Sequence, residues 1–364
     1  MAFILTFLGK GGVGSTTMAI ASAHSYAQQG KKVLLAVQDS SPCFSALLGK
    51  DVGKEVTEIV PNLNAIRLHS SKLLEDSWEK VEELEKKYLR SPILKNIYGS
   101  ELSLLPGMDE ALTLNYLREQ DEQYDIIIFD SKNALSCLRM FGIPDTLSWY
   151  IRRMRDILAN SDIVKGLSPF IQPVSSAVLN VSWNADNFAS QPTNEANELL
   201  ENGKKAVHNP SRVAAFLVTN DQTSAIASAL YLWGGAQQIG LTVGGVLLNQ
   251  STNTPEITAQ FHPLAINPIP QTTNQDWNSI MALLPDFQEN ARQAPKPLEI
   301  DTSKREVKIF LPGFAKKQVK LSQSGPEITI EAGDQRRNIF LPPPLKGQPV
   351  KGAKFQDKYL VISL

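Results

Sequence analysis

Cysteine is almost missing from this 364-residue chain: Cys43 and Cys137 are the only two, and no C-x-x-C occurs. Neither a disulfide framework nor a structural zinc site is encoded. Histidine is scarce as well. His24, His69, His208 and His262 are scattered and read as ordinary surface or capping residues. No excess of one charge sign exists, with 36 Lys+Arg against 37 Asp+Glu, so overall charge points to neither nucleic acid nor membrane. No run of about twenty apolar residues and no signal-peptide or transit-peptide pattern is present. The expectation is a soluble, cytoplasmic protein that is not integral to a membrane. The length leaves room for two or three domains. Charge is uneven along it, since twelve Lys/Arg and six Asp/Glu follow from Asp301 onward.

What is present is organised around Gly9-Lys10-Gly11-Gly12-Val13-Gly14-Ser15-Thr16-Thr17. An apolar run, Phe3 to Leu8, precedes it and a helix-like segment, Met18 to Ala23, follows. Strand, glycine loop and helix start form the context in which backbone amides wrap a phosphate. Thr16 is the residue type that ligates Mg²⁺ after such a loop. The ordinary pattern G-x-x-x-x-G-K-[ST] is met except that Ser15 stands where the lysine belongs, while another lysine, Lys10, follows the first glycine.

Further on, Val33 to Val37 reads as a buried strand ending near Asp39. That carboxylate either orients a water near a γ-phosphate or caps the next helix. Lys72 to Arg90 is a charged helix with Leu74, Trp78, Val81, Leu84 and Tyr88 on one stripe, and another helix runs from about Pro106 to Glu119. Tyr124 to Asp130 is a second central strand ending in an acid, the form of the carboxylate that holds Mg²⁺ water opposite a P-loop. From Asp145 a new apolar helix is expected, with Leu147, Tyr150, Ile151, Met154, Ile157 and Leu158 on one face. Residues 167–188 are apolar but broken by Pro169 and Pro173, and Asn194 to Val207 is helical again. These helices are either packed core or a client-binding wall. Strand and helix then alternate through Asn249, a candidate base-reading amide, and Gln271 to Gln288 holds a last helix. Beyond Leu298 the alternation has period two, which predicts a small β-sandwich that must dock or pair to be stable. The expected fold class is α/β, a doubly wound, mostly parallel P-loop sheet with a helical subdomain and a C-terminal β-sandwich. The expected units are 1–298, with helical contributions at about 70–120 and 145–207, and 299–364.

Residues 1 to about 295 resemble the family of arsenite-pump and tail-anchored-protein targeting ATPases. The family's G-K-G-G-V-G-K-T-T matches Gly9 to Thr17 except at Ser15. Its switch I lines up with Asp39 to Gly49, retaining Asp39, Ser45 and Gly49. Its switch II lines up with Asp130 to Pro144, keeping Asp130, Leu138, Arg139 and Pro144 but with Lys132 to Ser136 replacing its core. P-G-I-D-E appears as Pro106 to Glu110, and V-N-Q as Leu248-Asn249-Gln250. The resemblance implies ATP and Mg²⁺ as ligands, Gly9 to Thr17 on the phosphates, Thr16 on Mg²⁺ and Asp130 behind it. It also implies Asp39 as the water-activating acid, Lys10 as a lysine reaching across a homodimer, and Asn249 and Pro268 against adenine. Hydrophobic helices of tail-anchored membrane proteins would be the partners, held by Leu147, Ile151, Met154 and Leu158. No nucleic acid is implied.

The family's zinc-bridging C-x-x-C is absent after Asn249-Gln250, where Ser251-Thr252-Asn253 stands. The tail resembles an α-crystallin, or small heat-shock protein, domain through Leu311-Pro312-Gly313-Phe314, Phe340 to Pro344 and Lys358 to Leu364, without the trailing I-x-I. The implied function is a weak ATPase that targets or chaperones tail-anchored proteins. The alternative is a nucleotide-independent holdase with a vestigial P-loop. A metalloid-pump subunit is a third reading, for which two cysteines do not supply the soft-ligand triad. A dimer-bridging iron–sulfur cluster would need four thiolates, two from each subunit, with Cys43 and Cys137 as candidates.

Overall fold

The computed structural model describes residues 1–38, 42–88, 98–159, 192–271 and 276–364. Asp39 and residues 167–188 lie outside them, as do the side chains of Leu84, Tyr88, Met154, Ile157 and Leu158. The first half contains β1 (Phe3–Gly9), α1 (Ser15–Gln28), β2 (Val33–Val37), α2 (Cys43–Leu48), β3 (Thr57–Val60), β4 (Leu63–Arg67), α3 (Ser70–Tyr88), α4 (Met108–Gln120), β5 (Ile126–Asp130) and α5 (Ala134–Ala159). After it come α6 (Pro192–Val207), β6 (Val213–Thr219), α7 (Thr223–Gln238), β7 (Thr242–Asn249), α8 (Pro255–Phe261), β8 (Ile266–Ile269), α9 (Trp277–Met281) and α10 (Phe287–Gln293).

Strands one to eight form a single sheet in the order β3-β4-β2-β5-β1-β6-β7-β8. Every pairing is parallel except the antiparallel edge strand β3 on β4. Helices on both faces explain why the central strands are continuous apolar runs rather than alternating ones. Successive side chains of β1 feed opposite cores, Ile4 and Leu8 on one face and Phe3, Leu5 and Phe7 on the other. The expected α/β class is therefore observed. β3, β4 and β8 were not expected; they are short, and only their pairing partners make them strands.

Two expected boundaries are corrected. The helix predicted to begin at Asp145 is the second half of α5, which runs through Pro144 without ending. A proline forfeits one helical hydrogen bond and crowds the preceding turn. Here packing outweighs that loss: the Pro144 ring closes on Gly203 of α6, where an added Cβ would lie 3.2 Å away, and Gly142 lies equally close to Ile239. The single helix expected over Gln271 to Gln288 is instead the pair α9 and α10. Asp276 and Asp286 each cap a helix start, accepting from the amides of Ser279 and Glu289 at 3.2 and 3.0 Å. Among the described residues no helix is long and apolar enough to cross a membrane.

The tail comprises β9 (Leu298–Asp301), β10 (Glu306–Phe310), β11 (Val319–Ser324), β12 (Glu327–Ala332), β13 (Gln335–Phe340), β14 (Gly352–Gln356) and β15 (Tyr359–Ser363). They make two antiparallel sheets, β14-β15-β10-β9 and β11-β12-β13, around Val307, Ile309, Leu311, Ile328, Ile330, Ile339 and Ile362. β9 and β14 were missed because neither has a clean apolar alternation.

This small sandwich docks on α7. Phe310 joins the main core and meets Trp233 edge-on at 5.5 Å between ring centroids. Gly234 allows the approach of Phe314, since a Cβ there would stand 2.4 Å from both the Phe314 ring and the Pro312 carbonyl. Arg337, 4% exposed, donates to the Gln237 carbonyl at 2.9 Å. Burial pulls its pKa down to about 10, so the group stays charged at neutral pH.

His208 sits in the same seam, contrary to its expected surface role. Burial foremost, then the charges of Arg337 and Lys204, bring its pKa down to about 4 against the opposing pull of Asp145. The unfolded chain takes up this proton near pH 6.5 and the folded chain only near pH 4, so stability is complete above 6.5 and declines between those values. We expect a loss of at most about 3 kcal/mol on acidification across that window. Urea midpoints against pH should show it, and His208→Asn should flatten that part of the curve. An unchanged curve in the variant would place the proton uptake elsewhere.

Candidate functional site: a glycine loop at the carboxyl end of the central strand

β1 lies between β5 and β6, and the glycine loop leaves its carboxyl end, where open α/β sheets place their ligands. Gly12 and Gly14 have φ of 86° and 98°, conformations that only glycine adopts without strain. Gly14 is the N-cap of α1 and no side chain caps the helix, so its first amides stay available to an anion. Added Cβ atoms at Gly11 and Gly12 would meet nothing within 4 Å, and this is the open side of the cradle. Its walls are tight. A Cβ at Gly9 would lie 2.6 Å from both Val13 Cγ2 and the Val218 carbonyl, and 3.0 Å from Ser15 Oγ. Ser15 therefore turns its hydroxyl back toward the loop entrance. Thr16 and Thr17 are half-buried in the first turn of α1.

Three further residues define the surroundings. Asn249, 7% exposed at the end of β7, donates from Nδ2 to the Val13 carbonyl at 2.8 Å. Its amide nitrogen lies 2.4 Å from where a Cβ on Gly14 would be. Asn249, expected to read adenine, thus commits one of its two Nδ2 hydrogens to the phosphate loop. Pro268 on the neighbouring β8 is paired with Leu248 and exposed, so it lies beside Asn249's strand on the rim of the sheet. Asp130, 3% exposed, ends β5 next to β1.

Lys10 is exposed, and Nζ donates to Ser224 Oγ at 3.0 Å in the first turn of α7. Ser224 was missed: it is one serine among many, 214 residues away in sequence. The altered switch II is tied to the Pro-Gly-Met-Asp-Glu motif, with Lys132 pairing Asp109 and Ser136 Oγ donating to Glu110 at 2.5 Å.

Cys137 is buried, within 3.4 Å of Thr6 Oγ1, and burial pushes its thiol up to about 12. Cys137 is enclosed in the core while Cys43 is exposed, a placement that does not favour the iron–sulfur reading. No group of three or more His, Cys, Asp or Glu side chains suited to a metal occurs among the described residues. Of the expected client residues, Leu147 and Ile151 are half-buried on α5, beside an exposed Tyr150.

A parallel sheet with a glycine cradle on its central strand, a helix start behind it and a buried acid on the next strand defines a P-loop nucleoside triphosphatase fold. Over residues 1–262 the sequence matches the model of the anion-transporting ATPase family, and the chain belongs to that family. Residues 302–364 match the HSP20-like domain found in ArsA. A Prosthecochloris vibrioformis protein provisionally named an arsenical pump-driving ATPase is 25% identical over 390 residues, covering 99% of this chain and 95% of its own. An Aquifex aeolicus protein of the same provisional name is 22% identical over 400 residues, covering 99% of each chain. The ATPase GET3 of Lachancea thermotolerans is 31% identical over 163 residues, covering 41% of this chain and 47% of its own.

Proposed function

We propose that this chain is a homodimeric, ATP-binding and weakly hydrolysing targeting factor or chaperone for tail-anchored membrane proteins. An ATPase unit over 1–298 carries a β-sandwich unit over 299–364. The observation behind the nucleotide reading is the cradle itself: positive-φ glycines at 12 and 14, open space over Gly11 and Gly12, and an uncapped helix start. Mg²⁺, held by Thr16 with Asp130 behind it, would neutralise charge on the phosphates. Ser15 in place of the loop lysine supports weak binding and slow turnover. Asp39 is the proposed water-activating acid, so Asp39→Asn should abolish most residual hydrolysis while ATP still binds, and equal hydrolysis in variant and parent would reduce Asp39 to a helix cap.

One observation favours the holdase alternative, namely that Lys10 is already engaged within its own chain on Ser224. Calorimetric titration with Mg·ATP separates the two. Saturable binding that Lys10→Ala weakens supports the ATPase, and an absence of binding heat supports the holdase.

We assign client binding to Leu147, Ile151, Met154 and Leu158, whose helical spacing in the sequence puts them on one stripe. In a dimer, two such stripes could enclose an apolar helix at about 25 cal/mol per Å² buried. Co-expressed tail-anchor segments should copurify with the full chain. Ile151→Asp with Met154→Asp should cut the retained segment to below about a tenth, because burying an unpaired carboxylate is costly. If the double variant unfolds, these residues are core. If it folds and still holds the segment, the client site is not on α5.

A further inference from the structure

The helix α7 touches the nucleotide loop at one end and the C-terminal sandwich at the other. Ser224 in its first turn accepts from Lys10, and Gln237 in its last turn accepts from the buried Arg337 of β13. Sixteen residues of α-helix make a strut about 24 Å long. A guanidinium at the carboxyl end of a helix sits where the helix dipole is negative.

Between the two ends, the sandwich holds α7 along its length. The Gly313 segment lies on the Leu230 carbonyl, the Tyr231 hydroxyl accepts from the Asp334 amide at 3.0 Å, and Phe314 fills the space that Gly234 leaves. The sandwich also grips α5, the helix that follows Asp130. Arg139 pairs with Asp334 at 3.2 Å, and both Arg152 and the Trp149 indole donate to Glu327, at 2.6 and 3.2 Å. α5 and α7 themselves are in close contact where Gly235 faces Leu138. The sandwich therefore sits on both helices, and through α7 its contacts lead to a side chain of the glycine loop, Lys10.

We infer that the C-terminal sandwich positions Lys10, with α7 as the strut and Ser224 as the end that holds the lysine. Two states follow. With the sandwich seated, α7 is held and Lys10 rests on Ser224. With the sandwich lifted, α7 shifts and the lysine is freed. By linkage, whatever draws Lys10 off Ser224 must loosen the sandwich by the same factor. The consequence for ATP rests on the nucleotide reading proposed above, whereas the mechanical link does not.

Hydrogen–deuterium exchange on the full chain without nucleotide tests the link. Gly234→Ala favours the helix but drives a methyl group into Phe314 and Pro312, so it wedges the sandwich off α7. Tyr231→Phe with Arg337→Met removes the two hydrogen bonds that tie the sandwich to α7 and serves if the wedge variant does not fold. We expect segment 327–340 to exchange faster in the variants, and segments 9–17 and 221–226 to exchange at least about threefold faster with it. A loosened sandwich over a glycine loop exchanging at the parental rate overturns the inference. So does a sandwich unmoved in both variants, because the contacts named would then hold nothing.

A titration arm with Mg·ATP measures Gly234→Ala and Lys10→Ala singly and combined. If the sandwich acts through Lys10, Gly234→Ala changes ATP affinity in the parent and leaves it unchanged in the Lys10→Ala background. An equal change in both backgrounds overturns the route through Lys10. If the parent chain binds no ATP, the nucleotide reading fails and the exchange arm still decides the link.

Discussion

Ser15→Lys should tighten ATP binding by about ten- to a hundredfold. The loop around position 15 already has its working shape, with left-handed glycines at 12 and 14 and an open side over Gly11 and Gly12. What it lacks is a charge on the β- and γ-phosphates. A hydrogen bond to a charged group is worth about 1.5–3 kcal/mol, and each 1.4 kcal/mol is about tenfold in affinity. Ser15 is half-buried in the first turn of α1, with its hydroxyl near the loop entrance, so a lysine stem must leave over the open side. Turnover need not rise in parallel, because Lys132 and Ser136 tie switch II to Asp109 and Glu110. Unchanged affinity in the variant, measured by calorimetry, would falsify the cradle as the phosphate site.

Gly14→Ala should have the opposite and larger effect, eliminating measurable ATP binding and lowering stability by about 2–4 kcal/mol. Two costs coincide at this residue. Its φ of 98° is strained for any side chain, and the new methyl group would stand 2.4 Å from Asn249 Nδ2. Relief requires Asn249 to release the Val13 carbonyl, which leaves buried polar groups unpaired. Asn249→Ala should weaken binding less, since it removes the clamp without straining the loop. Thermal melts with titrations distinguish these outcomes. A Gly14→Ala protein that melts and binds like the parent would mean that the loop tolerates both insults and that its geometry is not the one described.

How much of this was legible beforehand differs from residue to residue. The five central strands announced themselves as short apolar runs, because a strand covered on both faces has no polar side to show. The loop was legible for a different reason: Gly12 and Gly14 need left-handed backbone, and glycine is the residue that supplies it. α5 was read short because a proline is a local stop signal, and nothing local reveals that Gly203 makes room for its ring. The partner of Lys10 was invisible in the same way, as was the placement of His208 beside Arg337.

The sequence by itself determined the class of the sheet, the glycine cradle, the missing lysine at Ser15, and a small all-β tail. Each depends on residue type and spacing within about ten positions, the range over which backbone preference and hydrophobic period act. The tertiary structure alone decided that Asn249 clamps the loop, that Lys10 rests on Ser224, and that the tail seats on α7 through Phe310, Phe314 and Arg337. Those pairings join residues 77 or more positions apart, and they form where packing leaves a buried donor, acceptor or ring one available partner.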